Sequence, residues 1–450
     1  MKWFAYAGAA VLGGTIVLAG NIASTETLSE SVQEVINSNP QIRSQAFNRL
    51  GRDEEVRKAR AGYLPTLDFM AGAGYENIQE PESGDYNPVE FGLGLRQNVF
   101  AGFSTMNEID RQKARVRSSA YGLQGVSENI ALKTARVYLD VLRMEELKTL
   151  AERNLLTHQR IADQIKLRSE SGVGSKADAD QVQGRLSLAE SNVVVTGTNL
   201  IDAKTSYLAV VGKLPGDLSK PVPADGVLPP SVEDAENRAL DSHPTLKSAN
   251  ADLDARKKQH EVASSPFWPR VDIEVDQTWE DEVDAVEERQ QSTIAMLRLR
   301  YNLFNGFSDD ARKVETKQLV GEAREIKNNT ARQVVESVRL SWMAYQSVLD
   351  RREYLEQHVI SSKATAESYN KQFDLGKRTL LDVLDTEAEV IEAERDMINV
   401  VYDGLYSQYR VLNGMGGLVH SLGLKWPEES AVEEPENDDK DSDEVNIALN

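Results

Sequence analysis

Leu95-Arg96-Gln97-Asn98-Val99-Phe100-Ala101-Gly102-Phe103-Ser104 returns later in the chain as Leu299-Arg300-Tyr301-Asn302-Leu303-Phe304-Asn305-Gly306-Phe307-Ser308. The spacing is 299 − 95 = 204 residues. The same spacing relates Asn39-Pro40 to His243-Pro244, and Leu64-Pro65-Thr66-Leu67-Asp68 to Trp268-Pro269-Arg270-Val271-Asp272. It also relates Gly172 to Gly376, Asp178 to Asp382, Ala189-Glu190 to Ala393-Glu394, and Gly212 to Gly416. One offset held without a gap over nearly the whole chain is an internal duplication. Two long copies are too few for a solenoid, so two equivalent halves of one architecture are expected.

Each half follows one plan. A helical stretch comes first and is closed by an extended X-Pro signal at Pro65, and at Pro266 and Pro269 in the second copy. Two alternating segments follow, about 64–100 and about 268–303. In the first, Leu67, Phe69, Ala71 and Ala73 oppose Asp68, Gly72 and Gly74, while Phe91, Leu93 and Leu95 oppose Gly92, Gly94 and Arg96. In the second, Val271, Ile273, Val275 and Trp279 oppose Asp272, Glu274, Asp276 and Glu280, and Leu297 and Leu299 oppose Arg298 and Arg300. Period-two alternation over about ten residues is the pattern of a membrane-spanning β-strand, with one face to lipid and one to water. Polar loops join the strands, and Gly102 and Gly306 end them. Helical pattern then runs over about 103–171 and about 307–375, which at 1.5 Å per residue spans about 100 Å. Short breaks at Gly172 and Gly174, and at Gly376, turn the chain into return helices over about 176–211 and 380–412. The expected fold is dominated by α-helix with a membrane β-barrel part, as a duplicated helix, β-hairpin, long helix and helix unit. The first repeat is set at 24–230 and the second at 231–426.

Residues 1–23 read as an export signal: Lys2 precedes an apolar stretch from Phe4 to Ala19, with cleavage after Ala19 or Ala23. No later run reaches the roughly 20 apolar residues of a membrane helix, so any passage through lipid is by strands. Cysteine is absent, which excludes disulfides, thiolate metal sites and a lipid-acylated Cys. The net charge of −21 argues against nucleic acid as a partner. Part of it sits in residues 427–450, where Glu428 to Glu444 holds ten acids and one Lys; that tail is expected to be disordered. The five histidines show no metal-ligand spacing, and no phosphate loop or nucleophile elbow occurs, so neither catalysis nor a cofactor is expected. Four strands cannot close a barrel, and an open edge cannot face lipid. Several copies must therefore share one barrel of 4n strands.

The chain resembles the TolC-like outer-membrane channels of bacterial type I secretion and efflux. The resemblance rests on Asn39-Pro40, Tyr63-Leu64-Pro65, Asn98-Val99-Phe100-Ala101-Gly102 and, most specifically, Gly376-Lys377-Arg378-Thr379-Leu380-Leu381-Asp382-Val383-Leu384-Asp385. It implies a homotrimer in the outer membrane, with a 12-stranded barrel and a long helical tunnel through the periplasm. It implies too that Asp382 and Asp385 form two acidic selectivity rings at the periplasmic end, where multivalent cations could block. A gate link between Arg378 and Asp178 is implied as well, although Phe373 stands where a tyrosine is expected and Ala177 where a threonine is. The implied partners are a periplasmic adaptor and an inner-membrane ABC transporter or proton-driven pump. Type I protein secretion is the first expectation, because many efflux relatives carry the lipid-anchored Cys missing here. Drug or metal efflux is the alternative, and a pore-less periplasmic coiled-coil scaffold is the alternative of another class.

Overall fold

The structure is a computed structural model and describes residues 25–79, 84–171, 175–224, 226–283 and 288–432. The expected export signal, and the tail beyond residue 432, lie outside the described residues. The first half comprises α1 (Leu28–Ser38), α2 (Pro40–Arg60), β1 (Thr66–Ala73), β2 (Glu76–Ile78), β3 (Gly84–Tyr86), β4 (Val89–Ala101), α3 (Ser104–Glu170) and α4 (Lys176–Val211). The second comprises α5 (Val232–Ser242), α6 (Pro244–Ala263), β5 (Arg270–Asp281), β6 (Gln290–Arg300), α7 (Ser308–Asp374), α8 (Leu380–Gly414) and the single turn α9 (Leu418–Ser421). The long helices α3 and α7 start 308 − 104 = 204 residues apart and end 374 − 170 = 204 apart. The duplication thus persists to the residue in the largest elements.

Local chemistry sets the boundaries. Asn39 and His243 each accept a bond from a backbone N–H two residues on, and Pro40 and Pro244 occupy the first helical position, where a missing N–H costs nothing. The same prolines force an extended residue before them, so α1 and α2 are separate helices, as are α5 and α6. At the strand-to-helix corners two consecutive residues are left-handed: Gly102 with Phe103, and Gly306 with Phe307. A Cβ on Gly102 would sit 2.5 Å from the Ser265 carbonyl oxygen, so only glycine fits. Phe103 holds its unusual backbone with its ring edge-on to Phe100 and Trp268, and Phe307 meets Phe304 in the same way.

The principal sheet has strand order β1-β4-β5-β6, all antiparallel. Register places Leu67 beside Leu95, Phe91 beside Trp279, and Ile273 beside Leu297 on one face. The other face aligns Arg96 with Glu274, Asn98 with Asp272 and Arg298, and Arg270 with Arg300. The apolar face is exposed, Leu297 and Leu67 both above two-thirds, which in water would be a severe loss of burial and in lipid is none. Aromatic side chains band it at both ends: Phe91 and Trp279 at the loops, Phe100, Trp268 and Phe304 at the helices. The second hairpin ends at Arg300, three residues before the expected limit, and the first carries an extra β2–β3 extension that the alternation did not announce. None of the described helices is long and apolar enough to cross a membrane.

Below the sheet, α3 packs on α2, α4, α6 and α8, and α7 on α5, α6 and α8. The main core lies midway along the long helices. Leu28, Val32 and Val35 of α1 meet Tyr138 and Val141 of α3, Tyr207 of α4, Val338 of α7, and Tyr409 and Leu412 of α8 there. Buried Glu128 on α3 accepts N–H bonds from Leu418 (2.8 Å), Val419 (3.2 Å) and the Trp426 indole (2.9 Å). Burial pushes its carboxyl up to about 7, against the pull of those three donors. The C-terminal strap continues further than expected. Glu428–Ser430 forms a 3-10 turn, and the Ser430 carbonyl accepts a 2.9 Å bond from Gln124. Disorder from residue 427 is therefore corrected: Pro427 to Val432 is seated on α2 and α3, because its acids point outward while its backbone finds a buried donor.

Candidate gate at the helix tip

The far ends of α3/α4 and α7/α8 form the candidate site. Gly172 and Gly174 lie outside the described residues. Gly376 is left-handed at φ +70°, and its N–H and that of Lys377 return to the carbonyls of Phe373 and Gln372, closing α7 in a tight reversal. Thr379 then opens α8 as a capping box. Asp382 donates its backbone N–H to the threonine hydroxyl at 3.3 Å, and its carboxylate accepts from the Thr379 hydroxyl and N–H at 2.9 and 3.1 Å. Those bonds hold the Asp382 carboxyl below the ordinary carboxylate range, the hydroxyl contributing most. Asp382 is thus charged at neutral pH and fixed in direction by its own helix.

Asp385 lies one turn on and is exposed, but within the chain it is paired. Arg185 of α4 reaches it at 3.0 Å, linking the two helical hairpins. No sequence motif marks Arg185; the meeting of Val182 of α4 with Leu380 and Leu384 of α8 in one small tip core brings it there. Arg378 donates to Gln372 at 3.0 Å, lies over the Tyr369 ring at 4.0 Å, and stands 3.9 Å from Asp382. Among the described residues it makes no ion pair with Asp178 inside one chain. Phe373, placed where a hydroxyl was expected, is covered by the Arg168 guanidinium at 4.7 Å, and Arg168 stands 3.8 Å from Asp374. Phe373 also packs against a small tip core of Ile161 and Ile165 from α3, Val182 from α4, and Leu380 and Leu384 from α8. An apolar contact occupies the place of the expected polar link.

Further up, nearly buried Glu394 of α8 receives Arg153 from α3 and Lys363 from α7, the latter at 2.6 Å. The two hairpins are therefore tied at three levels: Arg168–Asp374, Arg185–Asp385, and Arg153–Glu394–Lys363. Each pair is partly open to water and individually modest, about 0–1 kcal/mol. Such a tip can hold a closed packing and still be displaced by a partner. Among the described residues no group of three or more His, Cys, Asp or Glu is placed to hold a metal ion. Cation block would need aspartates from several chains.

Residues 31–212 and 236–417 each match the family described as outer membrane efflux protein. The two matched segments are the two halves of the duplication. The chain is 23% identical over 427 residues to the outer membrane efflux protein BepC of Brucella suis biovar 1 (strain 1330), covering 93% of this chain and 91% of that one. It is 22% identical over 434 residues to the outer membrane protein TolC of Escherichia coli (strain K12), covering 88% and 84%. Among solved structures, CusC superposes with a TM-score of 0.77 at 14% identity, covering 87% of this chain and 92% of that one, so the fold is shared.

Proposed function

The chain belongs to the outer membrane efflux protein family, and from that premise we propose how its geometry serves as an exit duct. Members of the family are outer-membrane channels of tripartite export systems and not enzymes, and this chain is an outer-membrane protein of that kind. The observation that carries the reading is the open four-stranded sheet. It has an apolar outer face, a charged inner face, and edges β1 and β6 each paired on one side only within the chain. Each unpaired N–H or C=O in hydrocarbon would cost several kcal/mol, on the order set by polar groups moved out of water. Three copies pairing β6 with the next β1 remove every edge and give a 12-stranded barrel, continuous with helices about 100 Å long.

In this duct the tip is the gate. Asp382 and Asp385 from three chains form the acidic rings, with Asp385 partly neutralised by Arg185. Arg378 meets Asp178 only across a subunit boundary, where Asp178 on α4 of one chain faces α7/α8 of the next. A periplasmic adaptor opens the gate by binding the open packing better than the closed one, an equilibrium the modest ion pairs leave within reach. The clefts along the long helices are polar and open to solvent, as a passive duct requires, and in this reading cargo is chosen upstream by the inner-membrane transporter. Type I protein secretion through an ABC transporter is our first reading of that cargo. Efflux of small molecules through a proton-driven pump is the second, supported only as far as likeness to an outer membrane efflux protein reaches.

Planar-bilayer conductance of the purified protein tests the duct: channels after tip-loosening substitutions support it, and their complete absence supports a pore-less scaffold instead. Deleting the gene separates the cargoes. Loss of a large secreted protein supports type I secretion, whereas normal secretion with raised drug or metal sensitivity supports efflux.

A further inference from the structure

The charged face of the sheet is not uniform. At the end where the strands enter the helices, Asp272 and Glu274 of β5 lie under four arginines from three strands. Arg270 (3.0 Å) and Arg300 (3.0 Å) pair with Asp272, and Asn98 donates to it at 2.9 Å. Arg96 (3.3 Å), Arg298 (2.5 Å) and Arg300 (2.6 Å) converge on Glu274. The carboxylate side chains are 0% and 8% exposed, while the guanidinium side chains are 40–54% exposed. The acids are covered and the cations are on top. Four positive and two negative side chains leave 4 − 2 = +2 at this level of one chain whose total is −21.

Toward the loops the sign reverses. Register places Asp68, Asp276, Glu90 and Glu280 on the same face, and no Lys or Arg of the four paired strands joins them there. On the loop side of Arg96 the same face of β4 carries Gly94, beside Asp276, and then Gly92, beside Met70, so no side chain of that strand roofs the collar from above. A collar of half-exposed guanidinium at one level, under an acidic mouth, is more than the strand-stapling that buried acids require.

We propose that the base of the barrel lumen is an anion-binding collar, built by Arg96, Arg270, Arg298 and Arg300, that takes carboxylate- or phosphate-bearing groups of passing cargo. The inference rests on the trimeric duct proposed above, in which three copies bring the collar to +6. Guanidinium forks match carboxylate and phosphate oxygens two at a time, and low-dielectric walls concentrate the field of such a ring. The collar is opposite in sign to the aspartate rings at the tip. An anionic segment leaving the tunnel is therefore drawn into the barrel and released past the acidic mouth.

The test uses the full-length trimer, opened at the tip, in planar bilayers, with tripolyphosphate or citrate added on the barrel side. Both probes are expected to block, tripolyphosphate alone if the site reads phosphate and citrate alone if it reads carboxylate. The double substitution R96Q/R270Q removes the net charge yet leaves Glu274 with Arg298 and Arg300, and Asp272 with Arg300 and Asn98. It should weaken block at least about tenfold, while R96K/R270K, which keeps the charge and loses the forks, should weaken it less. In the unsubstituted channel, block should fall steeply as salt rises from about 0.1 to 1 M, where screening shortens from roughly 10 to 3 Å. Conductance with no block by either probe, block untouched by R96Q/R270Q, or block insensitive to salt would each overturn the collar and leave the duct standing. Absence of any conductance in the unsubstituted protein would overturn both.

Discussion

Replacing Glu128 by Gln tests how the C-terminal strap is fastened to the tunnel helix. The carboxylate is buried on α3 and satisfied by three neutral donors, the N–H groups of Leu418 and Val419 and the Trp426 indole, and among the described residues it makes no ion pair. Its pKa is pushed up from an ordinary 4.5 to about 7, by burial above all. A raised acid contributes stability that is fully present below pH 4.5 and is lost as pH rises toward 7. At about 1.4 kcal/mol per pH unit, the loss amounts to about 3 kcal/mol. Glutamine removes the titration, at the cost of turning its amide N–H toward the Leu418 N–H, about 1–3 kcal/mol for one frustrated donor. The expected outcome is a wild-type strap held at least as well as the variant near pH 4.5 and relatively weaker near pH 8. Hydrogen exchange at the Leu418 and Val419 amides reads it directly, because the pH dependence of intrinsic exchange cancels between the two proteins. The ratio of their protection factors should change by about a hundredfold across that window, the equivalent of about 3 kcal/mol. A ratio flat with pH, or one in which the wild type gains protection as pH rises, would refute the reasoning.

Further outcomes are expected at the tip and the strap. Asp382→Ala with Asp385→Ala should reduce cation preference and block by multivalent cations in bilayer recordings; unchanged selectivity would reject the ring assignment. Arg185→Ala should raise the open fraction of the closed channel modestly, because an exposed pair contributes about 0–1 kcal/mol. A double-mutant cycle with Asp385→Asn checks that the two act through each other. Leu384→Ala empties the small tip core and should destabilise the closed packing by about 2–5 kcal/mol, the usual cost of truncating a buried leucine. A larger leak without any change in ion selectivity is the signature. Truncation after Val432 should leave thermal stability unchanged, whereas truncation after Trp426 removes the Gln124–Ser430 bond and should lower it by about 1 kcal/mol. Equal melting of the two truncations would count against the seated strap.

Much of the tip was legible in the sequence as a place, less so as a set of contacts. Gly376 declared the reversal because only a residue without Cβ enters the left-handed region freely. The spacing of Asp382 from Thr379 is that of a capping box, which the structure closes, while its place in an acidic ring belongs to the resemblance. Arg185 could not be foreseen, since nothing local distinguishes this one arginine of a 36-residue helix from a side chain that simply faces water. The Arg378–Asp178 link belongs to the resemblance; within the chain Arg378 is occupied by Tyr369 and Gln372. Composition assigns the strap from residue 427 to solvent because it reports the side chains' affinity for water, while the Ser430 carbonyl is held by a buried glutamine 306 residues away in sequence.

The sequence by itself determined the duplication, the two-faced strands, the long helices and the reversal at Gly376. These follow from local periodicity and from residues whose backbone preferences act over a few positions. Tertiary structure decided which strand lies beside which, and with it that Asp272 and Glu274 sit beneath arginines drawn from β4, β5 and β6. It decided as well that Asp385 finds Arg185, and that Glu128 carries the C-terminal strap. Each of these brings charge or hydrogen-bond partners together across tens to hundreds of residues. The energy of such a contact depends on distance and burial, which no stretch of sequence contains.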